Sequence, residues 1–114
     1  MKLINSFKYA IAGFWYCVRH ERNFRIHLIA AVAVIAAAVW FELYAYEIIA
    51  IVFAIALVLI AEMVNTAVER VVDNLTTKQN ENAKIAKDVA AGAVLVSAVF
   101  AAAVGIIIFW GRVF

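Results

Sequence analysis

Glu62, Asn65, Glu69 and Asp73 recur at intervals of three, four and four residues in the run Glu-Met-Val-Asn-Thr-Ala-Val-Glu-Arg-Val-Val-Asp. That spacing places all four on one helical face. The run directly continues an apolar stretch, and an acid at a bilayer centre disfavours insertion by about 2.5–3.5 kcal/mol. A polar stripe entering an apolar helix therefore serves chemistry, ion passage or a polar partner. Carboxylates at this density suit a hard divalent cation, because Mg²⁺ takes oxygen ligands and is completed by phosphate oxygens and water. Glu21 precedes one further apolar stretch, and Lys87 and Asp88 precede another. A lysine beside carboxylates suits a phosphate, and the whole set points to phosphoryl transfer, in which positioning and charge neutralisation do most of the work. The four glycines, Gly13, Gly92, Gly105 and Gly111, are scattered, and no Gly-Lys-Ser/Thr occurs. Any nucleotide site must be built without a Walker loop.

The elements that would position these groups are membrane helices. Of 114 residues, 68% are hydrophobic and none is proline, with a mean hydropathy of +0.99. This composition indicates an integral membrane protein forming one membrane domain over residues 1–114. Apolar stretches run from about 26–41, 43–61 and 89–110, each near the roughly 20 residues a helix needs to cross hydrocarbon. In lipid the backbone must pair internally, so these are helices. Residues 1–20 read differently. Leu3, Ile4, Phe7, Ile11, Phe14, Trp15 and Val18 share one side and polar residues the other, as in a basic amphipathic helix lying in the interface. Residues 76–84 read as a polar loop.

Nine of the ten Lys and Arg residues precede the first span or follow the second, and only Arg112 lies beyond the third. The excess of positive charge on cytoplasmic loops then predicts a cytoplasmic N-terminus and second loop. Glu62 falls at the inner edge of hydrocarbon, with Glu21, Lys87 and Asp88 at a similar depth. Trp40, Phe41, Tyr44, Tyr46 and Trp110 form an outer aromatic belt. Glu42 and Glu47 reach the outer headgroups, and His20 and His27 read as interfacial polar residues. Cys17 is a small apolar filler with no disulfide partner in the chain. No cleavable signal peptide is expected, since the basic amphipathic start lacks a short apolar core. Ala101 and Gly105 form a small-xxx-small pair able to pack helices closely.

Glu62-Met-Val-Asn-Thr-Ala-Val-Glu69, then Val-Val-Asp73, then Ala-Lys87-Asp88 before an alanine-rich span, resembles the prokaryotic diacylglycerol kinase family. Glu21-Arg-Asn-Phe-Arg-Ile-His27 and Ser6-Phe-Lys-Tyr9-Ala resemble its undecaprenol-phosphorylating branch. The resemblance implies a lipid kinase of the bacterial cytoplasmic membrane, using ATP and Mg²⁺. It also implies an all-α homotrimeric bundle of three transmembrane helices and an interfacial helix, with sites between neighbouring subunits. On it, Glu62 is the general base for the lipid hydroxyl, and Glu21 and Glu69 hold Mg²⁺ on the ATP phosphates. Lys2, Tyr9, Glu21, Glu69, Lys78, Gln79, Asn80, Lys87 and Asp88 contact the nucleotide, with Asn65 and Asp73 as supporting polar groups. Lys2 stands where many members carry arginine, and Ile85 replaces an arginine of the proteobacterial branch. The expected acceptor is undecaprenol, with diacylglycerol the alternative, and no nucleic-acid partner is expected. A small cation channel or transporter lined by the acid stripe is the reading outside this class. A non-enzymatic assembly subunit would leave Glu62 unexplained.

Overall fold

The computed structural model describes residues 2–75 and 80–114 and shows four helices among them. They are α1 (Leu3–His20), α2 (Arg22–Trp40), α3 (Ala45–Leu75) and α4 (Glu81–Val113). By length and composition α2, α3 and α4 can each cross a membrane. At 1.5 Å per residue the 31 residues of α3 extend about 46 Å, well beyond the roughly 30 Å of hydrocarbon. The stretch carrying Glu69 and Asp73 is thus the continuation of a helix already long enough to span. Of the stretch 76–84 expected to be a loop, residues 76–79 lie outside the described residues, and 81–84 are instead helical, since α4 begins at Glu81. Asn80 Oδ1 accepts the Ala83 amide at 2.9 Å, and Glu81 places an acid in the first turn. Both stabilise a helix start at that point.

Each junction has its own cap. Glu21, at φ −110° and ψ 108°, is extended between α1 and α2. Arg25 Nη1 donates to the Val18 and Arg19 carbonyls at 3.0 Å, satisfying carbonyls that the end of α1 would leave open. Phe24 is fully buried and meets Phe14 edge-on at 5.2 Å. At the end of α2, Glu42 takes φ 53°. Its amide bonds to Val39 O, and the Leu43 amide to Ala38 O, both at 3.2 Å. This is the reciprocal Schellman pattern, in which a left-handed residue turns the chain and Leu43 packs back on Ala38. Phe41 also turns inward, 5.9 Å from Phe109, rather than joining an outer aromatic belt.

The start of α3 is held by Glu47, whose Oε1 accepts the Tyr44 amide at 2.9 Å and pairs with Arg112 at 2.5 Å. The Arg112 guanidinium lies 4.4 Å from the Tyr44 ring centre. Glu47, expected at the headgroups, thus ties the first turn of α3 to the last turn of α4. These two helices form the most extensive packed pair, with α2 against α3 and α1 against both α2 and α3. The buried side chains of α3 are Ile51, Ala54, Val58, Glu62 and Thr66, one stripe at three- and four-residue spacing. A cleft of about 370 Å³ runs between α2, α3 and α4, apolar along its walls with His27 at one end. Gly105 lines it, and a Cβ there would meet nothing within 4 Å. Within one chain, then, Ala101 and Gly105 do not mark a close helix crossing.

Candidate active site

Glu62 occupies the point where the apolar stripe of α3 gives way to polar side chains. It is only 4% exposed, inside the packed face of α3 rather than at the lipid edge. His27, on the second turn of α2, brings Nε2 to 3.2 Å from Glu62 Oε1. Among the described residues, Glu62 Oε1 is a buried acceptor without a hydrogen bond. The charges that reach Glu62 come from His27, Glu21 and Glu69. One turn on, Thr66 Oγ1 donates to the Glu62 carbonyl at 3.0 Å.

Asn65 Nδ2 donates to Glu69 Oε1 at 3.2 Å, the i,i+4 contact that the spacing predicts. This bond fixes the amide orientation, because the flipped form would set two acceptors against each other. Among the described residues Asn65 Oδ1 is consequently left buried with no donor. Farther along α3, Asp73 Oδ1 pairs with Lys87 Nζ of α4 at 2.5 Å, and Glu69 also lies within electrostatic reach of Lys87. On α1, Cys17 is buried beside Thr66. Burial pushes its thiol above the ordinary range, the Thr66 hydrogen bond opposes this, and the Glu21 and Glu62 charges add to the rise.

The fold therefore gathers Glu21, Glu62, Asn65 and Glu69, with the Asp73–Lys87 pair adjoining them. Other expected site residues lie elsewhere. Asp88 is exposed and pairs with Lys84 at 2.6 Å. The Asn80 side chain serves as the α4 cap. Lys2 and Tyr9 are exposed on and before α1, and among the described residues no hydrogen bond or ion pair joins them to the cluster. Lys78 and Gln79 lie outside the described residues. Two residues read as bland from the sequence sit at the cluster: His27 and Cys17. Nothing in their local spacing marks them, since each contact joins separate helices.

Among the described residues, no three His, Cys, Asp or Glu side chains form a metal cage of their own. The arrangement fits a cation that needs only one or two carboxylates and is completed by phosphate oxygens, with the orphaned Asn65 Oδ1 as a neutral oxygen beside Glu69. Glu62 is thus a buried carboxylate next to His27, which lines the apolar cleft, and it borders a polar cluster on its other side.

Residues 8–109 match the prokaryotic diacylglycerol kinase family. The chain belongs to that family. It is 50% identical over 105 residues to a diacylglycerol kinase of Synechocystis, covering 90% of this chain and 59% of that relative's length. It is 42% identical over 108 residues to the undecaprenol kinase of Bacillus subtilis, covering 95% of this chain and 88% of the relative. Against the diacylglycerol kinase of Escherichia coli K12 identity is 28% over 111 residues, covering 97% and 91%. The family is one of lipid kinases, and three long apolar helices accord with a multi-pass membrane enzyme. In the diacylglycerol kinase family setting, the channel and assembly-subunit readings lose their ground.

Proposed function

We propose that this chain transfers the γ-phosphoryl group of Mg-ATP to the hydroxyl of a membrane lipid alcohol, with undecaprenol as the acceptor. The observation that carries the reading is Glu62, a buried carboxylate with an unsatisfied oxygen between an apolar cleft and a polar cluster. A water-soluble donor and a bilayer-borne acceptor meet only at such a boundary. The undecaprenol assignment is supported by identity to the Bacillus subtilis undecaprenol kinase over nearly the full length of both chains. Diacylglycerol is the second reading, favoured by the Synechocystis relative.

In the proposed step the acceptor oxygen forms a bond to the γ-phosphorus as the bond from that phosphorus to the bridging oxygen breaks, and ADP leaves. The hydroxyl proton passes to the Glu62 carboxylate. A loose transition state requires little prior deprotonation, so Glu62 orients the hydroxyl as much as it abstracts from it. Glu21 and Glu69 would hold Mg²⁺, with Asn65 Oδ1 beside them, and the ion would supply charge neutralisation on the transferring phosphate oxygens. Lys87 exchanges Asp73 for a phosphate.

The reading extends to assembly and placement. Exposed apolar side chains on every span, such as Ile29, Phe53 and Ile107, suit lipid and further copies of the chain, and a homotrimer would let a neighbour complete each site. The exposed Leu3, Ile4, Phe7 and Ile11 of α1 suit an interfacial helix in the bacterial cytoplasmic membrane with its N-terminus inside. Purified protein given ATP labelled at the γ-phosphate should label undecaprenol faster than diacylglycerol in the same detergent. Labelling of neither lipid overturns the kinase reading, and faster labelling of diacylglycerol overturns the acceptor assignment.

A further inference from the structure

Among the described residues, His27 is the one polar side chain on the wall of the apolar cleft, and it stands between that cleft and Glu62. Its Nε2 lies 3.2 Å from Glu62 Oε1, with 29% of the imidazole and 5% of the carboxyl side chain exposed. The two groups belong to different helices, α2 and α3, so helix packing alone brings them together. Among the described residues Oε1 has no other donor, and a buried carboxylate oxygen without a donor is costly. Among the described residues, the His27 imidazole is the donor within reach, through an N–H at Nε2. Donor–acceptor pairs of this kind are often misaligned without substrate and tighten once it is bound.

We infer that His27 is a positioning residue for Glu62. It donates from Nε2 to Oε1, fixes the carboxyl rotamer, and leaves Oε2 directed to the hydroxyl of a lipid lying in the cleft. His27 does not exchange a proton with the substrate. It keeps the ionised carboxylate in one orientation, where a displacement of about 1 Å can cost two orders of magnitude in rate. The inference rests on the kinase reading above, with Glu62 as the proton acceptor.

The test compares His27→Ala, His27→Asn and His27→Gln in the full chain, by transfer of labelled γ-phosphate to undecaprenol. The glutamine amide nitrogen falls near the place of Nε2, whereas that of asparagine falls near Nδ1 and cannot reach Oε1. Expected are a kcat lowered about 10- to 100-fold in the alanine and asparagine variants, an unchanged KM for ATP, and recovery of most of the loss with glutamine. In a Glu62→Gln background, His27→Ala should lower the residual rate no further. Should His27→Ala fail to fold, the contrast between asparagine and glutamine decides alone. An unchanged kcat, a change confined to KM, or equal rates for asparagine and glutamine overturns the positioning role while leaving the kinase reading intact. Wild-type protein that labels no lipid alcohol overturns both.

Discussion

Lys87 of α4 and Asp73 of α3 meet at 2.5 Å, with 41% and 60% of their side chains exposed. Exposed pairs of this kind contribute about 0.2–1 kcal/mol, so Lys87 can leave Asp73 for a polyanion at little cost. Lys87→Met should lower kcat/KM for ATP by about 100-fold, since a charge-assisted phosphate contact is worth roughly twice a neutral one. Asp73→Asn should change thermal stability by less than about 1 kcal/mol. Steady-state kinetics over a range of ATP concentrations, beside thermal unfolding of both variants, check the pair. A Lys87→Met enzyme with unaltered ATP kinetics would remove Lys87 from the nucleotide site.

Glu62→Gln preserves shape while removing the proton acceptor. Turnover should fall by about 10²–10⁴-fold, the usual contribution of general acid–base catalysis, while the affinity for ATP stays within about twofold of wild type, because Glu62 lies on the side of the cluster that His27 and the apolar cleft border. Equilibrium binding of a labelled nucleotide alongside single-turnover transfer separates the two effects. Loss of binding with chemistry intact would contradict the role of Glu62.

Glu42 holds φ at 53°, a conformation that disfavours residues with a Cβ by about 1–2 kcal/mol. Glu42→Gly should therefore raise stability by about 0.5–1 kcal/mol, after part of the gain is offset by the greater freedom of glycine in the unfolded chain. Thermal unfolding in detergent reads the shift, and activity at low temperature should be unchanged.

At the far end of the same two helices, Arg112 and Glu47 are only 23% and 12% exposed, and Glu47 also accepts the Tyr44 amide. Arg112→Ala should lower thermal stability, because it removes the charged donor from Glu47 Oε1. The effect is smaller than for a fully buried pair, since solvent reaches both groups. A matching loss with Glu47→Gln, and no further loss in the double variant, would show that the two act as one unit.

Cys17 reports on the packing of α1. Burial holds its thiol above the ordinary range, and the thiolate is the reactive form. Alkylation by iodoacetamide should begin at higher pH in the native protein than in the unfolded chain. Near neutral pH it should also be slower, because burial lowers the thiolate fraction. Equal rates before and after unfolding in dodecyl sulfate would mean that α1 does not cover this residue.

Periodicity made the helices legible. The long apolar runs without proline could form nothing else in lipid, and the spacing of Glu62, Asn65, Glu69 and Asp73 put them on one helix, where the Asn65–Glu69 bond now lies. These are relations within single helices, set by the pitch of the backbone. Boundaries were less legible where a side chain decided them. Asn80 and Glu81 start α4 inside a stretch whose polarity reads as loop, because capping depends on one hydrogen bond rather than on average composition.

By itself the sequence determined the helical class, the acid stripe and a family resemblance that the comparison over residues 8–109 upheld. Only the tertiary structure decided which face of α3 turns inward, and hence that Glu62 is buried beside the His27 that lines the cleft. It alone set His27 against Glu62, Lys87 against Asp73 and Cys17 against Thr66. Each of these contacts depends on the rotation and offset of one helix against another, which are set by the packing of side chains distant in the chain and leave no periodic mark on any single helix.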